Sequence, residues 1–165
     1  MITPAYVATM AAYNAEANRR WYAAAATLTD EQRRADRGAF FGSLHATLCH
    51  LVWADTLWMH RFAGWPKPAA PAAYGLTMFA DLPSLTAARA DLDARLIAWA
   101  ATVTQDWLDT RLSWFSAALQ RDMVQPAALL VTHMFNHQAH HRGQAHALLT
   151  GFGAKTGDTD LPFIL

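Results

Sequence analysis

A chain of 165 residues has the usual length of one domain and can bury a substantial core. Alanine supplies much of its apolar content while Val and Ile are scarce, which favours helices and disfavours a protein built on sheets. Lys plus Arg balances Asp plus Glu at 13 each, so no basic excess points to nucleic acid, and no run reaches the ~20 apolar residues that span a bilayer.

The first predicted helix starts at Thr3-Pro4, since Thr can cap and Pro suits the first helical position, and runs to about Leu28. Thr29 followed by Gln32 reads as a capping box opening a short helical turn that Gly38 ends. The second long helix runs from about Gly42 to Phe62, with Ser43 as a cap and Gly64 and Pro66 as its stop. Residues 64–82, with three prolines and two glycines, form a long crossover, and loops of that length often shape a site. Its tryptophan, Trp65, is expected on a pocket rim. The third long helix spans about Pro83 to Val103 on a stripe of Ala88, Leu92, Leu96 and Trp99. Residues 111–115 alternate polar and apolar and can pair with 121–125, as a loop or short hairpin. The fourth long helix starts at Pro126 and ends near Leu149, before Gly151 and Gly153. The tail is too short for a further element and is expected to pack back through Leu161, Phe163 and Ile164. Four long helices with one long crossover suit an all-α four-helix bundle over residues 1–165, with an irregular helical array as the alternative.

The single cysteine, Cys49, excludes an internal disulfide and a Cys-based zinc site, and reads as a small buried apolar residue. Its isolation fits a reducing cytoplasm. The N-terminal sequence shows no basic leader before an apolar core, so no signal peptide is expected.

Histidine is the compositional oddity. Five of the eight fall within 14 residues, from His133 to His146. His137 and His141 are four apart on a predicted helix, which sets their Cβ atoms ~5–6 Å apart on one face. Leu130, Met134 and Leu148 share that stripe, so both imidazoles turn inward, where an unpaired polar ring is costly. A metal ion would satisfy them; so would carbonyls, or each other. His50 shares its helix face with Ala54 and Leu57 and also faces inward. Three imidazoles leave coordination positions free, the arrangement of a reactive metal, whereas structural zinc sites are usually closed by four protein ligands. Imidazole suits zinc, nickel, iron or copper, so the donors do not choose the metal.

The remaining histidines read as structural or neighbouring groups: His133 lies one turn before His137, His140 points about 60° away from it, His45 and His60 leave His50's face, and His146 is expected at the surface. Asp55, His133, Asn136, Arg142 and Gln144 are candidates to orient ligands or touch a substrate, because metal-bound His commonly donates its second N–H to such a group. Ordinary helix-surface pairing is the alternative for each. No phosphate loop, nucleophile elbow or HExxH is present, and only Glu16 and Glu31 represent glutamate, so the usual zinc-protease base is absent.

Three segments, GSLHATLCHLVWADTLWMHRF (42–62), HMFNHQAHHRGQAHALL (133–149) and DTDLPFIL (158–165), resemble the DinB-like superfamily of bacterial proteins along nearly the whole chain. The resemblance implies an up-down-down-up four-helix bundle, a homodimer, and a three-histidine metal site falling on His50, His137 and His141. It also implies metal-dependent transferases of low-molecular-weight thiols, or thiol-dependent isomerases. The expected cofactor is one divalent ion, zinc or nickel before iron or manganese, and the expected partner is a small thiol rather than nucleic acid or membrane. Metal-assisted hydrolysis and a non-catalytic, stress-linked metal-binding role are the competing readings.

Overall fold

A computed structural model describes residues 1–69, 73–117 and 119–165. The protein is mostly helical. Its elements are α1 (Pro4–Ala26), α2 (Asp30–Arg34), α3 (Leu44–Ala63), a 3-10 turn (Ala73–Gly75), α4 (Leu82–Ala100), α5 (Gln105–Leu108), β1 (Arg111–Ser116), β2 (Arg121–Pro126), α6 (Ala127–Gly151) and α7 (Leu161–Ile164).

Local chemistry sets the helix starts. Thr3, Ser43 and Asp81 each accept a backbone N–H from three residues on, at Tyr6, Ala46 and Ser84, which satisfies one of the donors a helix start leaves free. Both halves of the Thr29–Gln32 capping box form, and the short α2 they open ends at Arg34, ahead of Gly38. Gly64 closes α3 in the left-handed conformation, at a φ of 67°. The first helix stops at Ala26 rather than Leu28, and the third long helix at Ala100 rather than Val103.

Each long helix packs on two others: α1 on α4 and α6, and α3 on α4 and α6. Val7, Trp21, Leu48, Met59, Leu85, Leu96, Met134, Phe135 and Leu149 fill the space between them. Across this apolar interior runs a buried polar layer. Arg89 bonds to Asp55 and to Asp93, each at 2.6 Å. Asn18 donates to both Asp93 oxygens, and Asn14 donates to Gln138.

The hairpin expected over residues 111–115 and 121–125 forms, and it adds a small two-stranded sheet to the mostly helical fold, which is to that extent not all-α. β1 and β2 pair antiparallel from Arg111↔Pro126 to Ser116↔Arg121. Leu112 and Trp114 turn to the protein, while Arg111, Ser113 and Phe115 face solvent. The period of two that marks such a strand is the alternation visible in the sequence. The crossover is also more structured than expected, because Ala73–Gly75 makes a tight turn, with Tyr74 and Gly75 at positive φ, that returns to α3. Its residues 70–72 lie outside the described residues. The tail makes one helical turn, and only Ile164 of its three expected contacts is buried; Leu161 and Phe163 are exposed. Among the described residues no helix is long and apolar enough to cross a membrane.

Candidate metal centre

The side-by-side packing of α3 and α6 brings His50 against His137 and His141. One ring nitrogen from each can be chosen so that all lie within 4.8 Å of one another. His50 and His141 are buried and His137 is half-buried. The Nε2 atoms of His50 and His137 stand 3.2 Å apart.

The outer nitrogens fix the tautomers. His50 Nδ1 lies 2.9 Å from the Tyr74 carbonyl, which can only accept, so Nδ1 carries the proton. His141 Nδ1 is 2.9 Å from Gln144 Oε1 and is likewise the donor. Gln144 then donates from Nε2 to His140 Nε2 at 3.1 Å. Both His50 and His141 therefore present an Nε2 lone pair to the shared point. His137 Nδ1 is buried without a hydrogen-bond partner. Burial pushes His50 down to about 4 and, with its neighbouring imidazoles adding to the effect, His137 down to about 3; burial also lowers His141. At neutral pH all three are uncharged donors. A proton on His137 Nε2 can be shared with only one lone pair, at His50, whereas one divalent ion would take a lone pair from all three neutral rings, so this donor set fits such an ion.

The site opens into a cleft of about 260 Å³. Phe41 covers one side, its ring 4.2 Å from His50 and 5.1 Å from His141, centroid to centroid. Tyr74, Trp53 and Trp58 line the rest together with His133, whose ring is 5.8 Å from His137 and 5.1 Å from Trp58. No carboxylate is among the lining residues described.

The other candidates separate. Gln144 touches His141. His133 borders the cleft but is not among the converging nitrogens. Asp55 is committed to Arg89. Arg142 is buried, its guanidinium 5.4 Å from the Tyr13 ring centroid, and Asn136 is exposed. Trp65 does not line this cleft; its ring carries Arg95 at 3.9 Å and its carbonyl accepts from His60. His146, expected at the surface, is half-buried against Trp21 and Thr156. Phe41 and Tyr74 escaped the sequence reading. Their one signal was local: an aromatic immediately before a position needing glycine, at Phe41-Gly42 and Tyr74-Gly75.

Helices arranged to face three histidines across one cleft define a helical protein with a candidate centre for one metal ion. The DinB family matches the chain over residues 1–165, and the protein belongs to that family. A crystal structure of a DinB-like protein from Bacillus cereus is similar in fold, with a TM-score of 0.66 and 18% sequence identity over 88% of this chain and 90% of the other. No curated protein matches the chain in sequence.

Proposed function

We propose that His50, His137 and His141 hold one divalent cation, zinc or nickel before iron or manganese, and that the protein is a metal-dependent enzyme using a low-molecular-weight thiol. The observation that carries this reading is an open-sided set of three neutral imidazoles in a cleft whose described lining has no carboxylate. A bound divalent cation favours thiolate over thiol, the nucleophilic form. Phe41, Trp53, Trp58 and Tyr74 keep the cleft apolar around it. In a transfer, the thiol releases its proton to solvent, its sulfur forms a bond to an electrophilic carbon, and the leaving group departs with the bonding pair. Hydrolysis needs a group to take a proton from water, and the described lining offers no carboxylate base for it.

Elemental analysis of wild type beside His137→Ala tests the site: near-stoichiometric divalent metal is expected in wild type and little in the variant. Equal metal in both removes the ligand assignment. Product analysis of electrophiles with and without added thiol then tests the chemistry, and thiol-independent turnover would favour hydrolysis.

We further infer that α1, α3, α4 and α6 form an up-down-down-up bundle, in keeping with the pairs of helices that touch. A homodimer and a cytoplasmic location complete the proposal; sedimentation showing a monomer at micromolar concentration would remove the dimer.

A further inference from the structure

A second cleft, of about 900 Å³, adjoins the first. The two share Trp53, Leu57 and Tyr74 in their walls. The outer wall is the hairpin, through Ser113, Trp114 and Phe115. His60, Arg61 and Lys67 also line it, and no Asp or Glu is among its described lining residues.

Arg61 is the arginine of this cleft. Its guanidinium lies 4.4 Å from the Trp58 ring centroid and 5.5 Å from that of Trp114. It is half-buried, and burial lowers its pKa. Among the described residues no carboxylate lies within salt-bridge distance of it and no side-chain hydrogen bond fixes it, unlike Arg19, Arg20, Arg34 and Arg89, which all have acidic partners. Two indole faces hold the cation in place, yet its planar fork of donors remains free to grip an anion from two N–H groups.

Placement on α3 ties Arg61 to the histidine site. It follows His50 by eleven residues, three turns, so both lie on one helix stripe with Trp53 and Leu57 between them. Eleven residues correspond to roughly 16 Å along the axis. The stripe thus reads, in order, as imidazole, apolar floor and guanidinium.

We propose that this second cleft is the binding site for a small organic carboxylate, with Arg61 taking the carboxylate, the Trp53–Leu57 floor taking an apolar body, and the far end of the molecule directed to the three histidines. The direction of that far end rests on the metal-centre reading; the carboxylate site does not. Arg61 amid aromatic walls, with Lys67 also in the lining, matches an anion with an apolar body, and the absence of Asp and Glu among the described lining residues disfavours an amine.

The test uses 3-phenylpropionate, its uncharged amide and 3-phenylpropylamine as ligands, titrated calorimetrically into wild type, Arg61→Met, Arg61→Lys and His137→Ala. Wild type is expected to bind the acid at least tenfold more tightly than the amide, with the amine weakest. In Arg61→Met the acid falls to the level of the amide, whose own affinity stays within about twofold and shows the cleft intact. Arg61→Lys retains part of the preference, since it keeps the charge and loses the fork. His137→Ala retains all of it. Equal binding of acid and amide by wild type would overturn the assignment. So would a preference that survives Arg61→Met but disappears in His137→Ala, because the carboxylate would then be binding at the histidine site. Metal content measured on the same preparations reports separately on the metal-centre reading.

Discussion

Gln144 lies one helical turn beyond His141, and its side-chain oxygen accepts a hydrogen bond from His141 Nδ1–H at 2.9 Å, leaving Nε2 to face His50 and His137. The same amide donates from its nitrogen to His140 Nε2 at 3.1 Å, so it bridges the two rings. Groups that hold a ligating imidazole in this way commonly contribute 10–100-fold to metal affinity. Gln144→Leu is therefore expected to weaken zinc binding by that range while leaving stoichiometry at saturation unchanged. Competition with a chelating indicator measures it; an unchanged affinity would show that the ring is held by packing alone.

Gly75 sits where the crossover turn meets α3. Its φ is +69°, and an added Cβ would lie 2.4 Å from Trp53 Cβ and Cγ. Gly75→Ala must displace either the indole or the turn, and the turn carries the Tyr74 carbonyl that orients His50. Tyr74 itself is strained, at a φ of 61°. The expected result is a loss of about 1–3 kcal/mol in urea unfolding together with weaker metal binding. Destabilisation with metal affinity unchanged would separate the turn from the site.

Asp55 answers to a different partner than the sequence suggested. Its carboxylate is bonded to buried Arg89, so Asp55→Ala leaves that cation with Asp93 alone. Breaking a buried pair in this way costs about 3–5 kcal/mol. Urea melts should show the loss, and elemental analysis should show full metal occupancy in whatever folds. Depleted metal would return Asp55 to the site.

Acid should unfold the metal-free protein through its histidines. His50 and His137 are pushed down to about 4 and about 3, from an ordinary 6.5, by burial. Below pH 6.5 the unfolded chain binds protons that the folded chain refuses, so stability rises with pH across that window and falls as pH drops from 6.5 towards 4. Above pH 7 these two groups contribute no slope. Urea midpoints at pH 7, 6, 5 and 4 measure the effect, and His137→Phe should flatten it in part. Parallel curves for variant and wild type would assign the acid sensitivity elsewhere.

Periodicity made much of this arrangement legible. The spacing of His137 and His141, on a stripe with Met134 and Leu148, turned both rings inward, and Ala54 and Leu57 did the same for His50. The structure brings those three together. Helix starts were equally readable, because Thr3, Thr29 and Ser43 act through side chains only three residues from their targets. What escaped depends on contacts distant in sequence or on irregular backbone. The partner of Asp55 is 34 residues away. Tyr74 contributes a carbonyl, which carries no side-chain signature. Arg61 has no local signature either, because Trp114, 53 residues on in the hairpin, stands beside it only in the fold.

The hairpin has a consequence for how such a protein can diverge. The three imidazoles come from α3 and α6, whereas the outer wall of the larger cleft comes from β1 and the loop after it. Changes at Ser113 or Phe115, both exposed, alter what the wall admits without disturbing the helices that set the rings. The rings and the outer wall thus lie on separate stretches of chain, free to evolve at different rates, while Arg61 shares α3 with His50.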